Sequence, residues 1–121
     1  MDHASFLELV RYNADGLVPC VVQAAGGGEV LMVAFADEEA MRMTLATGEA
    51  HFWSRSRREL WHKGGTSGNV QRVVCARLDC DHDTVLLLVE PLGPACHTGA
   101  VSCFRDEANG GAATSPSAEV G

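Results

Sequence analysis

Val70-Gln71-Arg72-Val73-Val74-Cys75-Ala76-Arg77-Leu78, then Asp79-Cys80-Asp81-His82-Asp83, then Thr84-Val85-Leu86-Leu87-Leu88-Val89-Glu90, is the stretch that decides the fold. Two β-prone runs flank an Asp-rich turn, so the segment reads as a pair of strands. Upstream, Ala50 to Ser54 and Glu59 to Lys63 read as two more strands, separated by a Ser/Arg turn and followed by a Gly/Thr/Ser turn. Val18 to Ala24 and Val30 to Phe35 are apolar runs joined by Ala25-Gly26-Gly27-Gly28-Glu29, which predicts an antiparallel hairpin. Two helices complete the reading. Phe6, Leu9 and Val10 sit at helical spacing before Asn13-Ala14-Asp15-Gly16 breaks the pattern. Asp37 caps a second helix, with Glu38 and Glu39 in its positive first turn, Met41 and Leu45 on one face and Gly48 just past its end. Runs of strands with two helices that do not alternate regularly predict an α+β fold of mostly antiparallel strands.

With 121 residues the chain fits one compact domain. Residues 1–105 are expected to form it. Residues 106–121 are rich in Gly, Ala, Ser, Pro and Glu with Val120 as the one large apolar side chain, and are expected to be a disordered tail. Hydrophobic content of 46% with 21% charged residues is that of an ordinary globular protein, and no apolar run approaches membrane-spanning length. Met1-Asp2-His3-Ala4-Ser5 lacks the basic and apolar regions of a secretory signal, so a cytoplasmic location with reduced cysteines is expected. A net charge of -7 argues against general nucleic-acid binding, which needs a basic footprint.

Hard and soft ligands crowd the end of the domain. Asp79, Asp81 and Asp83 favour magnesium, calcium or manganese, whereas Cys80, Cys96 and Cys103 favour zinc, so two metals are expected. The Asp-x-Asp-x-Asp spacing opens like a calcium EF-hand loop, but Thr84 stands where that loop's sharp turn needs glycine and an apolar strand follows. If the segment stays extended, alternation places the three aspartates on one face and Cys80 with His82 on the other. The plainer reading is a solvated hairpin tip. The cysteines lack paired Cys-x-x-Cys knuckles, and three ligands leave the open position of a catalytic zinc site, where a water's pKa falls to about 7. Burial as small hydrophobes is the alternative, expected for Cys20 and Cys75. Cys96-His97-Thr98-Gly99 lies instead in a Pro/Gly-framed loop, and His97 beside a ligand is placed to move protons unless it is simply a surface histidine.

Four of the nine Lys and Arg residues, Arg55, Arg57, Arg58 and Lys63, fall within nine positions of an otherwise acidic chain. Arginine forks and hydroxyls, continued by the amides of Gly64-Gly65-Thr66-Ser67-Gly68, complement phosphate oxygens. Lys63 precedes the glycines, so this is no Walker A loop. Trp53 and Trp61 are either core residues or stacking surfaces for a base. A phosphorylated metabolite fits better than a polymer.

Together, Trp53-Ser54-Arg55-Ser56-Arg57, Leu60-Trp61-x-Lys63-Gly64-x-Thr66-Ser67-Gly68, Asp79-x-Asp81-x-Asp83, and Ala95-Cys96-His97-Thr98-Gly99 with Ser102-Cys103-Phe104 resemble the phosphoribosyl-AMP cyclohydrolase family. The resemblance covers about residues 16 to 105. It implies a cytoplasmic homodimer in the third step of histidine biosynthesis, where water adds at adenine C6 of N1-(5-phosphoribosyl)-AMP and the N1–C6 bond breaks. It further implies zinc on Cys80, Cys96 and Cys103 in a site shared between subunits, and magnesium on Asp79, Asp81 and Asp83. His97 is then a proton carrier, with Trp53, Arg55, Arg57, Lys63, Thr66 and Ser67 as candidates to hold the substrate. Neither nucleic acid nor membrane is an expected partner. Gly65 departs from the pattern, since members often carry an acidic residue there. A zinc nucleoside deaminase would need His-x-Glu and Pro-Cys-x-x-Cys segments, and both are missing from the sequence. An open three-cysteine site beside a histidine also argues against a non-enzymatic binding module.

Overall fold

The structure, a computed structural model, describes residues 1–110. The expectation for residues 111–121 lies outside that range, while residues 106–110 are exposed and without regular structure. Helix α1 (His3–Leu9) starts where the Asp2 carboxylate accepts from the Ser5 amide at 2.8 Å. It is shorter than its apolar spacing predicts: Phe6 is buried, Leu9 is 38% exposed, and Val10 joins the core from the C-cap position. Helix α2 (Glu38–Thr47) begins at Asp37, whose carboxylate accepts from the Ala40 amide at 2.8 Å, and ends at Gly48, which takes the left-handed conformation at φ 75°.

Six strands form one mixed sheet: β1 (Val18–Ala24), β2 (Val30–Ala36), β3 (His51–Ser54), β4 (Glu59–His62), β5 (Gln71–Leu78) and β6 (Val85–Pro91), in the order β4-β3-β2-β1-β6-β5. Every neighbouring pair is antiparallel except β1 and β6, which run parallel with Cys20 beside Val85. The sheet curls because the chain entering β3 reaches across to β5. Glu49 bridges Arg72, and the Ala50 amide donates to the Gln71 carbonyl at 2.9 Å.

Alternation along the central strands builds the core. Val18, Cys20 and Val22 from β1 and Val85, Leu87 and Val89 from β6 are buried, and α2 adds Ala40, Met41 and Thr44. Phe52, Leu31 and Leu87 each contribute about 1.5–3 kcal/mol by leaving water. Cys20 is buried as expected, its thiol pushed up to about 12 by desolvation; Cys75 is only half-buried, on β5 at the end of the strand order. No helix among the described residues is long and apolar enough to cross a membrane.

Candidate active site and metal-ligand clusters

The β3–β4 hairpin displays the basic stretch. Ser54 pairs with Glu59, so residues 55–58 form its exposed turn, with Arg58 at φ 55°. The Arg55 guanidinium lies 4.1 Å from the centroid of the Phe35 ring, a cation–π contact that holds it toward β2. Arg57 is steadied by the Ser54 hydroxyl at 3.5 Å and Glu59 at 3.8 Å. A cleft of about 530 Å³ opens here, lined by Val33 and Phe35 of β2, Trp53, Arg55, Arg57 and Trp61. Trp53 and Trp61 thus both wall the cleft, and Trp61 also packs on Phe52 with ring centroids 5.7 Å apart. Phe35 and Val33 were invisible to motif reading; they join the site only because β2 lies beside β3.

Lys63 sits apart from the arginines. It is 8% exposed, and its ammonium donates to the Ala95 carbonyl at 2.7 Å, which ties β4 to the loop carrying Cys96. Thr66 and Ser67 are exposed in the turn after β4, framed by Gly64 at φ 80° and Gly68 at φ 84°.

The cysteine loop is anchored to β2 as well: the Cys103 amide donates to the Leu31 carbonyl at 2.7 Å and the Ser102 hydroxyl to the Val30 carbonyl at 2.7 Å. Cys96 and Cys103 are brought together there. The Thr98 hydroxyl donates to the Cys96 sulfur at 3.0 Å, and that bond, with help from Cys103 and Arg105, holds the Cys96 thiol below its ordinary range. Partial burial and then the neighbouring Cys96 push Cys103 up, against the pull of Lys63 and Arg105. Thr98 belongs to the Cys96-His97-Thr98-Gly99 segment, but motif reading gave its hydroxyl no part. His97 is exposed beside this pair.

Cys80 is not with them. It lies exposed in the β5–β6 turn, whose strand enters the sheet beside Cys20, whereas Cys96 and Cys103 lie near the start of β2. Among the described residues, the three sulfurs do not converge within one chain.

The aspartates do converge. Asp79, Asp81 and Asp83 each offer an oxygen within 4.8 Å of the others. The extended ladder is replaced by a tight turn in which His82 takes φ 67°, the His82 amide donates to the Asp79 carbonyl, and the Arg11 amide donates to the His82 carbonyl at 2.8 Å. The Asp79 carboxylate accepts from the Asp83 amide at 3.1 Å and the Thr84 amide at 3.2 Å. Desolvation opposes these bonds at Asp79, but they win and its carboxyl sits below the ordinary value. Asp83 is pushed up, first by its hydrogen bond with Asp81 and then by desolvation and like charge. An exposed turn that gathers three carboxylates suits a hard divalent cation, and two neighbouring thiols suit a soft one.

A model of the phosphoribosyl-AMP cyclohydrolase family matches residues 32–105. Phosphoribosyl-AMP cyclohydrolase of Pelotomaculum thermopropionicum is 59% identical over 99 residues, covering 82% of this chain and 77% of that protein. The protein of the same name from Archaeoglobus fulgidus is 58% identical over 95 residues, covering 78% and 88%. The histidine biosynthesis bifunctional protein HisIE of Bacillus subtilis is 56% identical over 98 residues, which span 81% of this chain and 47% of that longer protein.

Proposed function

The chain belongs to the phosphoribosyl-AMP cyclohydrolase family, a family of hydrolases, and we propose that it opens the adenine ring of N1-(5-phosphoribosyl)-AMP at the N1–C6 bond in histidine biosynthesis, in the cytoplasm. The observation that carries this reading is a paired Cys96 and Cys103 on a loop anchored to Leu31 of β2, the same strand that lends Val33 and Phe35 to the arginine- and tryptophan-walled cleft.

Cys96 and Cys103 would hold zinc, completed by Cys80, and the Asp79–Asp81–Asp83 turn would hold magnesium. Zinc supplies Lewis-acid activation of water. The Thr98 hydroxyl bond lowers the Cys96 thiol below its ordinary range and so favours the form that binds metal, which makes the loop a half-site. Because Cys80 lies elsewhere in the same chain, the zinc set closes between two copies. Exposed Val30, Val101 and Phe104 in and beside the cysteine loop support an apolar contact there, since exposed apolar side chains of this kind mark association surfaces. Trp53 stacks on the base, while Arg55 and Arg57 with Thr66 and Ser67 receive the two phosphates. His97 carries a proton between water and the departing N1. Lys63 holds the cysteine loop against β4.

Turnover tests the whole reading. Metal-depleted protein should be inactive on phosphoribosyl-AMP and recover when zinc is restored, with magnesium adding a further increment. Inert zinc-loaded protein with pure substrate refutes the activity. Mixing inactive Cys80→Ala and Cys96→Ala chains tests the shared site: mixed dimers rebuild one complete set of sulfurs, and no recovery despite proven exchange rules the arrangement out.

A further inference from the structure

His51 and His62 face each other across the β3–β4 hairpin, and their rings stack with centroids 4.4 Å apart and planes 6° from parallel. Glu49 engages both. His51 Nδ1 lies 2.7 Å from the Glu49 carbonyl oxygen, so that nitrogen carries the hydrogen. His62 Nε2 lies 2.7 Å from Glu49 Oε1, which accepts from it. One nitrogen of each ring is left over, His51 Nε2 and His62 Nδ1. In the neutral ring His62 Nδ1 is a bare lone pair, and among the described residues it makes no hydrogen bond.

That atom points at the glycine-rich turn. A Cβ placed on Gly65 would meet His62 Nδ1 at 2.7 Å, so the missing side chain leaves the nitrogen's edge of the ring uncovered over the turn. Within the turn the Gly65 amide donates to the His62 carbonyl at 3.0 Å and the Gly68 amide to the Gly64 carbonyl at 2.8 Å, but the amides of Thr66 and Ser67 donate to no acceptor among the described residues. Two amides without an acceptor, the Thr66 hydroxyl, the Ser67 hydroxyl that accepts from the Asn69 amide at 3.2 Å, and an open ring nitrogen beside Gly65 therefore belong to one exposed turn and the strand end that leads into it.

We propose that His62 is a phosphate-binding residue: as the anion arrives its Nδ1 takes up a proton and donates to a phosphate oxygen seated on the Thr66 and Ser67 amides, while Glu49 orients the ring through Nε2. This rests on the reading of residues 64–68 as a phosphate-binding turn. The charged or titratable groups around the ring are Glu49 at Nε2, His51 stacked on it, Arg72 of β5 opposite Glu49, and Lys63 next in the chain; α2 contributes the uncharged Thr44, bonded to His51. Gly65 then serves the site by leaving the ring room.

Sulfate is the probe, because its charge is constant where histidine titrates, around pH 6.5. Calorimetric titration of the full chain in buffers of different ionisation heat should show proton uptake on binding and affinity falling as pH rises. Amide resonances of Thr66 and Ser67 should shift. His62→Gln should bind sulfate about tenfold more weakly or worse, the loss of a charge-assisted hydrogen bond, with no proton uptake. Gly65→Ala, which leaves both amides in place but displaces the ring, should also lose the uptake. With phosphoribosyl-AMP, His62→Gln should raise KM and leave kcat nearly unchanged. Sulfate that shifts Thr66 and Ser67 without proton uptake, or equal affinity in His62→Gln, overturns the role of His62 alone. Sulfate that leaves those two amides unmoved overturns the phosphate-turn reading and this inference with it.

Discussion

Replacing Gly64 by alanine should cost far more than the same change at Gly68, although both glycines lie in one turn at nearly the same positive φ, 80° and 84°. The left-handed conformation alone costs a residue with a Cβ about 1–2 kcal/mol. At Gly68 nothing lies within 4 Å of the new atom, so that penalty is the whole effect. At Gly64 the Cβ would stand 2.2 Å from the Asn69 carbonyl carbon and 2.2 Å from the Val70 amide nitrogen, both backbone atoms that no rotamer change can move. Overpacking of that kind adds about 1–3 kcal/mol, for a total of about 2–5 kcal/mol. The difference should appear as a lower urea midpoint for Gly64→Ala with an unchanged m-value, and as amide resonances of Asn69 and Val70 that shift only in that variant. Equal losses at the two positions would refute the reasoning, since they would mean that close backbone approach plays no part at Gly64.

Three further outcomes follow from the same structure. The buried Cys20 thiol has its pKa raised from 9.0 to about 12, so the folded state keeps a proton that the unfolded chain releases. Its stabilising contribution is whole below the unfolded value and is lost as pH rises toward the folded one, and the gap between wild type and Cys20→Ala in urea unfolding should shrink by about 1.4 kcal/mol per pH unit above pH 9; a constant gap contradicts this. Asp37→Ala removes the acceptor for the Ala40 amide and should destabilise the protein by about 1 kcal/mol, with faster amide exchange confined to the first turn of α2. Asp81→Asn should weaken magnesium binding at the β5–β6 turn while leaving bound zinc at its wild-type content, as measured by metal analysis and magnesium titration of activity; loss of zinc in this variant would mean that the two clusters are one site.

Much of the fold lies in local patterns. Asp37 and Gly48 bound α2 because capping is decided by residues in immediate reach, and the strand limits follow alternating burial closed by Gly, Ser and Asp turns. The parallel pairing of β1 with β6 has no such local signature, because it joins the first strand to the last. The aspartates show the same limit at the site: spacing left open an extended ladder or a solvated hairpin tip, and the backbone turns at His82 and gathers the exposed carboxylates at the tip. Cys80 parts from Cys96 and Cys103 through strand order, which spacing does not encode. Glu49, His51 and His62 went unread although hairpin arithmetic was enough to find them, since the Ser54–Glu59 pairing already sets His51 opposite His62.

The parallel β1–β6 pair also sets the order of assembly. Every other neighbouring pair of strands is close in the chain and can form early, whereas this one must close across everything between Cys20 and Val85, and long-range closure is slow. The Asp79–Asp83 turn opens the last strand, and the cysteine loop follows it. A chain still emerging from the ribosome therefore has β1 and β2 available well before β6 exists to pair with β1. The cysteine loop, anchored to Leu31 of β2 through the Cys103 amide, joins a strand made about seventy residues before it, so this contact too belongs to the late, long-range part of assembly.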